Sequence, residues 1–178
     1  MEFLRIQSEN NKYWNDIINM YNTSFPLFEQ RTLEDQVLAL QDEKYYCMAL
    51  CESESLIGLL FYWDLGEFVY IEHFAISSNL RGKSYGSKVI KEFCKINKNV
   101  ILEIDPPLDD VSIKRLNFYS KLGFKLQDFD HTHPSYRKDT PAHELKIMTY
   151  PNDITESEFN NFSNFLTTTV MKYSEIKK

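Results

Sequence analysis

Residues 70–93 read YIEHFAISSNLRGKSYGSKVIKEF, and three features follow one another in this stretch. Residues 70–76 have the apolar composition of a buried strand, residues 81–87 form a basic turn with two glycines, and a helical period of apolar residues follows from Val89. The first turn of a helix has backbone N–H groups without intrahelical partners, and the helix dipole adds partial positive charge there. A strand, a glycine-containing turn and a helix in this order therefore predict a site that binds a phosphate.

Length and composition indicate one domain with its own core. The chain has 178 residues, of which 43% are hydrophobic, and this supports a single core without metals or disulfides. The cysteines, Cys47, Cys51 and Cys94, fall in apolar or helical patterns and read as reduced, buried thiols. No apolar run is long enough to span a bilayer, and the N-terminus lacks a secretory signal pattern, so we expect a cytoplasmic protein without a membrane partner. The formal net charge of −6 argues against a nucleic-acid partner, which would need a basic face.

Hydrophobic periodicity predicts a mixed α/β fold around one central sheet. The predicted strands cover residues 3–7, 45–52, 56–63, 70–76, 100–104, 124–129 and 144–150. The predicted helices lie around residues 14–21 and 33–40, after residue 87, and over residues 111–122 and 154–176. The last helix has an aromatic stripe, which packs either on its own domain or against a second copy in a homodimer.

Two kinds of phosphate site fit the basic turn. Gly82-Lys83-Ser84 matches the end of the P-loop pattern G-x-x-x-x-G-K-[ST], but Ser77 stands where that pattern requires its first glycine. The second kind is a coenzyme A site of the pattern R-x-x-G-x-G/A. This pattern would begin at Arg81 and end at Gly86, with Ser84 where the first glycine is usual.

A second motif favours coenzyme A. Residues 117–124 read NFYSKLGF, at the end of the next predicted helix, and resemble the F-Y-x-x-x-G-F signature of the GNAT acyltransferase superfamily. Together with the basic turn, this motif makes the chain resemble the family over roughly residues 3–150. The resemblance implies a GNAT-like fold and an N-acetyltransferase that moves the acetyl group of acetyl-CoA directly to a primary amine of a small molecule or peptide. It divides the chain into an acetyltransferase domain at residues 1–150 and an added C-terminal helix at residues 151–178.

The resemblance also implies a coenzyme A site. In the family the fourth and fifth strands splay apart, and backbone groups of the fourth strand pair with the pantetheine arm between them. The residues implied as contacts of coenzyme A are Phe74, Ala75, Ile76, Arg81, Gly82, Lys83, Ser84, Tyr85, Gly86, Ser87, Ser112 and Phe118. The hydroxyl of Ser112 either hydrogen-bonds the ligand or faces water, and Arg115 either reaches a phosphate or belongs to a solvated face. A non-catalytic sensor of acyl-CoA would keep the same cradle and is the alternative function.

Two side chains are predicted to be catalytic. The resemblance implies that Tyr119 gives a proton to the departing thiolate, or else packs over the sulfur. Glu72 interrupts an apolar strand, where a carboxylate is costly unless it is paired or solvated. It is therefore predicted either as the general base or as half of an ion pair with a lysine or arginine. Strand alternation places His73 on the opposite face, as a packed core histidine or, alternatively, a functional one.

A loop at residues 130–143 contains the last candidates. Its histidines, His131, His133 and His143, could suggest a metal site, but no cysteine or carboxylate cluster stands at ligand spacing, so we expect no metal. The same loop could close over the acceptor site and set the choice of amine, or it could have no such role.

Overall fold

One seven-stranded sheet forms the middle of the protein. A computed structural model describes residues 1–97 and 99–177. Its strands are β1 (Glu2–Ile6), β2 (Tyr45–Glu52), β3 (Ser55–Asp64), β4 (Val69–Ile76), β5 (Val100–Ile104), β6 (Lys125–Leu126), β7 (Thr132–His133), β8 (His143–Glu144) and β9 (Lys146–Tyr150). The sheet has the order β1-β2-β3-β4-β5-β9-β6, while β7 and β8 pair in a separate hairpin. Within the large sheet β4 and β5 pair in parallel, and the other neighbours are antiparallel.

Helices cover both faces of this sheet. They are α1 (Trp14–Ser24), α2 (Leu33–Ala39), α3 (Tyr85–Ile96), α4 (Asp110–Lys121) and α5 (Glu156–Thr168). Core residues of α1, α2 and α5 pack on one face, and core residues of α3 and α4 pack on the other. The predicted mixed α/β fold around one sheet is confirmed, and the strands predicted at residues 45–52 and 100–104 match β2 and β5 in both bounds.

The C-terminal segment packs on the chain's own sheet. The ring of Phe162 lies 5.1 Å from that of Tyr70, and Tyr173 stacks on Trp63 at 5.9 Å. The aromatic stripe thus contacts the sheet of its own chain, and packing against a second copy stays a prediction. The helix itself ends at Thr168, earlier than predicted, and continues as short 3₁₀ turns. The run of β-branched residues at 167–170 explains this end, because such side chains lower helix propensity.

Strands β4 and β5 separate after a short paired stretch. They are paired only over residues 69–71 of β4 and 100–102 of β5. Beyond that point β4 pairs with β3, and β5 pairs with β9. The two strands therefore splay apart, as the family resemblance implies, and leave one backbone edge of β4 facing an open cleft.

A bulge in β4 overturns the predicted face of His73, although the residue is buried as predicted. Phe61 pairs with His73 and Tyr62 pairs with Ile71, so Glu72 is an extra residue without a partner on β3. An extra residue interrupts the alternation of a strand, so side chains on its two sides no longer alternate. Glu72 and His73 consequently lie on the same face, with Glu72 Oε2 only 3.6 Å from His73 Nδ1. The prediction of opposite faces was wrong because it assumed a regular strand.

Candidate active site

The basic turn leads directly into α3. Gly82 has φ +76° and Ser84 has φ +63°, so two residues of this turn are in the left-handed region. Ser84 is the N-cap residue of α3, but its hydroxyl makes no capping hydrogen bond. A non-glycine residue pays a steric cost in this conformation, which explains why the coenzyme A pattern has glycine at this position.

The two motifs found in the sequence meet in space. A Cβ atom added to Gly86 would lie 3.4 Å from the ring of Phe118 and 3.8 Å from the side chain of Ile76. The first turn of α3 therefore approaches both α4 and the end of β4 closely. This approach places the N–H groups at the start of α3 beside the open edge of β4.

The cleft between the splayed strands has a volume of about 560 Å³. Phe74, Ala75 and Ile76 of β4 form one wall, Arg81 lies at one end, and Tyr119 of α4 lies on the other side. The segment between α1 and α2 closes the cleft from above with a second group of residues, which includes Phe25, Pro26, Phe28 and Glu29. Six residues of the predicted site thus line one space: Glu72, Phe74, Ala75, Ile76, Arg81 and Tyr119.

Tyr119 is a buried phenol held between two rings. The ring centroids of Phe118 and Phe124 lie 5.0 Å and 5.4 Å from its own. Burial raises the pKa of Tyr119 to about 12, although the charge of Arg115 opposes the shift. The phenol is therefore protonated at neutral pH and can donate its hydrogen into the cleft.

Glu72 is engaged in a buried ion pair. Both terminal guanidinium nitrogens of Arg31 donate to its carboxylate, at 2.8 Å and 2.5 Å, and Trp63 Nε1 and the hydroxyl of Tyr136 donate as well. Burial works to raise the pKa of Glu72, but Arg31 and His73 lower it, and the net direction is strongly downward. A carboxylate with four donors and a lowered pKa is a weak base. The geometry therefore favours the ion-pair alternative for Glu72.

A small polar cavity of about 60 Å³ adjoins the cleft. The two spaces share Glu29, Glu72, Glu103, Asp105 and Arg115 in their walls. The histidines that line the cavity are His73, His133 and His143. This cavity therefore has both carboxylates and imidazole rings on its walls.

The ionisable groups of this cavity influence one another. Burial raises the pKa of Glu29, which His73 opposes. Burial also works to raise the pKa of Glu103, but His133 and His131 turn the net direction downward. The pKa of His143 is lowered by burial and by His133. At neutral pH the cavity thus combines ionised Glu103 with a neutral imidazole of His143.

Comparison with known proteins identifies the family. Residues 14–124 match the family model described as "Acetyltransferase (GNAT) family". The chain belongs to this family. GNAT membership confirms the predicted superfamily and the enzyme class that it implies, an acetyltransferase. The P-loop alternative is wrong, since the matched residues include Gly82-Lys83-Ser84 within an acetyltransferase domain.

Individual relatives agree with this membership. The chain is 32% identical over 69 residues to "Putative acetyltransferase YjbC" of Bacillus subtilis (strain 168), a stretch that covers 38% of this chain and only 36% of that relative. A structure described as "Putative acetyltransferase from GNAT family from Bacteroides thetaiotaomicron" has a TM-score of 0.90 and 26% identity, and covers 96% of this chain and 98% of that one. An aminoglycoside 6'-N-acetyltransferase complexed with coenzyme A shares the fold at a TM-score of 0.59 and 13% identity, over 88% of this chain and 100% of that one.

Ser112 has a structural task in this GNAT chain. It is buried, and it forms a capping box with Asp109 at the start of α4: its hydroxyl accepts from the backbone N–H of Asp109 and lies 3.1 Å from the carboxylate of Asp109. The alternative of a water-exposed serine was wrong, and a contact with coenzyme A stays a prediction. Arg115 pairs with Asp105 and lines the cleft, and its side chain is 45% exposed, so a phosphate contact and a solvated position both stay predictions.

The loop at residues 130–143 folds over the same face as Glu72. Two of its histidines have other partners: His131 pairs with Glu103, and His133 Nδ1 lies 2.6 Å from the carbonyl oxygen of Pro134. Among the residues described, no group of three or more His, Cys, Asp or Glu side chains could hold a metal ion. Of the strand predicted at residues 124–129 only β6 forms, and within the loop region β7 pairs with β8 in a separate hairpin.

No local pattern in the sequence marks Arg31 or Tyr136 as a partner of Glu72. Arg31 stands in a polar stretch before α2, yet its side chain is fully buried and contacts Glu72 across 41 residues of sequence. Tyr136 comes from the far loop, and Arg137 beside it donates to the backbone carbonyls of Gln30 and Arg31.

Within residues 1–97 and 99–177, no helix is both long and apolar enough to cross a membrane.

Proposed function

We propose that this protein transfers the acetyl group of acetyl-CoA directly to a primary amine of a small molecule or peptide. The observation that carries the proposal is the cleft between β4 and β5, with the basic turn at one end and Tyr119 on its wall. An edge of β4 without a strand partner beyond residue 71 suits an amide-rich arm, which can pair with it as an added strand would. Family membership supports acetyl-CoA as the co-substrate.

The basic turn fits the pyrophosphate of coenzyme A. Gly82 has open space around the position of a missing Cβ atom, so a ligand can approach its backbone. The start of α3 supplies N–H groups and the positive end of a helix dipole, and Arg81 and Lys83 are exposed beside it. The residues that would hold the coenzyme are those of the turn, together with the β4 edge at residues 74–76 and Phe118.

Tyr119 would stabilise the departing sulfur. The amine nitrogen attacks the thioester carbonyl, the C–S bond breaks, and negative charge develops on sulfur. The pKa of Tyr119, about 12, exceeds the reference value of a free thiol, about 8.5. The same burial that raises the pKa of the phenol also raises the pKa of a thiol in the cleft, so the difference between the two pKa values becomes smaller. A hydrogen bond from Tyr119 that tightens as the bond breaks would therefore lower the barrier.

The small cavity would receive the amine. Glu29, Glu103 and Asp105 on its walls attract a cation, and their charge exceeds that of Arg115, which pairs with Asp105. The loop at residues 130–143 contributes His133, Tyr136 and His143 to this space, so it would take part in the choice of acceptor.

The homodimer stays a prediction, and so does the cytoplasmic location, which the three buried free thiols support.

A thiol-release screen tests the proposal. The protein is incubated with acetyl-CoA and a panel of polyamines, aminoglycosides, amino acids and peptides, and free coenzyme A is measured with a thiol reagent. We expect release with at least one amine and none without an acceptor. Acetyl-CoA binding by calorimetry without release across the panel would contradict the proposal and favour the sensor.

A further inference from the structure

Glu29 brings a carboxylate without a partner to the ligand space. It ends a short 3₁₀ turn, Leu27–Glu29, between α1 and α2, and it lines both the cleft and the small cavity. Within residues 1–97 and 99–177, no hydrogen bond or ion pair reaches this carboxylate, whereas Glu72 has Arg31 as its partner. A partly buried charge without a counter-charge is costly, so its presence beside a cleft indicates a ligand of opposite charge.

The backbone that supports Glu29 is held in place. Its N–H donates to the carbonyl oxygen of Pro26 at 3.0 Å, and its own carbonyl oxygen accepts from His73 Nε2 at 2.8 Å. The side-chain amide of the next residue, Gln30, donates to the carbonyl oxygen of Phe25 at 2.6 Å. A charge on a fixed backbone binds a ligand with little loss of chain entropy on binding, which favours recognition by Glu29.

The surroundings of Glu29 leave its charge uncompensated. Burial raises its pKa, and the charges that also influence this pKa belong to residues of the cavity wall: His73, Asp105, Arg115 and Glu103. Among the described residues that line the cavity, Arg115 is the one lysine or arginine, and it pairs with Asp105. A bound cation would supply the missing counter-charge and bring the pKa of Glu29 back toward its ordinary value.

The size of the cavity limits the kind of cation that can enter. Its volume of about 60 Å³ admits a few water-sized groups, so the ammonium end of an alkyl chain fits and a sugar ring does not. The reacting nitrogen of an acceptor must be neutral when it attacks, and a carboxylate beside it would keep it protonated. The charge of Glu29 therefore suits a second nitrogen, which stays protonated throughout the reaction.

We propose that Glu29 is a specificity-determining residue, which binds the second, non-reacting ammonium group of a linear diamine acceptor. This inference rests on the proposed function. One end of the diamine lies in the small cavity at Glu29, and the other end, as the free amine, faces the thioester in the cleft beside Tyr119. The free amine forms the N–C bond as the C–S bond breaks, and the proton that this nitrogen loses balances the proton that sulfur gains. The ammonium at Glu29 keeps its proton.

Matched acceptors test this assignment. Linear diamines of several chain lengths are compared with the amino alcohols of the same lengths, in which a neutral hydroxyl replaces the second ammonium, and kcat/KM is measured by thiol release. For the wild-type protein we expect the best diamine to exceed its amino alcohol by about 10- to 100-fold, the effect of one hydrogen bond to a charged group.

The substitution Glu29→Gln removes the charge and keeps the size of the side chain. It should reduce the ratio of the two kcat/KM values to about threefold or less, which includes the statistical advantage of two reactive ends. Glu92→Gln is the matched control, because Glu92 is exposed on α3 and pairs with Lys95, and it should keep the wild-type ratio. Calorimetry with acetyl-CoA checks that each variant is folded, and Glu29→Ala replaces Glu29→Gln if that protein does not fold.

Two results would overturn the inference. One is a wild-type ratio of about threefold or less at every chain length, and the other is a Glu29 variant that keeps the wild-type ratio. The second includes a variant that loses activity equally with diamines and amino alcohols, since Glu29 would then act on the reacting amine alone. Wild-type protein that acetylates no amine would instead contradict the proposed function, so the two failures are distinguishable.

Discussion

The strained position Ser84 gives a prediction whose magnitude follows from the backbone. Ser84 has φ +63° and ψ 7°, a left-handed conformation that costs an L-residue about 1–2 kcal/mol. Its side chain makes no capping bond with α3, so Ser84→Gly removes the steric cost without losing a cap. Glycine also increases the entropy of the unfolded chain, which takes back about 0.4–1 kcal/mol. We therefore expect a net stabilisation of about 0.5–1 kcal/mol.

The assay is urea unfolding followed by fluorescence, with a thermal scan beside it. A gain of this size should raise the melting temperature by about 1–4 °C in a chain of this length. Ser120→Gly is the matched control: Ser120 is exposed within α4, where glycine should instead destabilise by a few tenths to about 1 kcal/mol. The two variants make the same chemical change and should shift stability in opposite directions.

Ser84→Gly also tests the proposed role of the turn in binding coenzyme A. Because the backbone at Ser84 already has the conformation that glycine favours, Ser84→Gly should change acetyl-CoA affinity by less than about threefold. A Ser84→Gly protein that is less stable than wild type would refute the reasoning, since it would mean that the serine side chain stabilises the turn. A large gain in affinity would show instead that the hydroxyl obstructs the phosphates.

Three further perturbations follow from the site. Tyr119→Phe should lower kcat by about 10- to 100-fold with little change in acetyl-CoA affinity, measured by thiol release and calorimetry, and an unaltered kcat would remove its role. Glu72→Gln leaves Arg31 buried without its counter-charge and should lower the free energy of unfolding in urea by about 3–5 kcal/mol. The control Glu92→Gln, in the exposed pair with Lys95, should lower it by only about 0–1 kcal/mol. Equal losses in the two variants would contradict a buried ion pair. Stability should fall as the pH drops below about 6.5, because the lowered pKa of His143 lets the unfolded chain bind a proton first, and again below about 4.5, where the unfolded chain protonates Glu72 before the folded chain does. His143→Gln should remove the first step only, and a profile that stays flat to pH 5 would contradict the assignment.

Local patterns in the sequence sufficed for the central strands β2 and β5 and for the two motifs. Strands β2 and β5 match their predicted bounds because each is a dense apolar run bounded by polar residues. The contact between Gly86 and Phe118 follows from a pattern that records both positions, although they are 32 residues apart. Strands and motifs of this kind can be predicted from the order of residues along the chain alone.

The partners of buried charges could not be predicted in this way. The carboxylate of Glu72 required a counter-charge on physical grounds, and the sequence offered 20 lysines and arginines. Arg31 is the partner because α2 and the loop around Tyr136 converge on one face of β4. That convergence depends on tertiary packing, which no short window of sequence contains. The predicted end of α5 was wrong for a simpler reason. The aromatic period continues along the sequence beyond the β-branched run that ends the helix.

The bulge at Glu72 links the two halves of the candidate site. Without an extra residue, strand alternation would place His73 and Ala75 on the face of α3 and α4, and Phe74 and Ile76 on the face of α1. With the bulge, Ala75 belongs to the core on the α1 side, whereas Phe74 and Ile76 pack with α3. One unpaired residue therefore turns His73 toward the polar cavity and Ile76 toward the start of α3. His73, which holds the backbone of Glu29, and the edge proposed for coenzyme A lie on one strand, and their relative placement depends on this single irregularity.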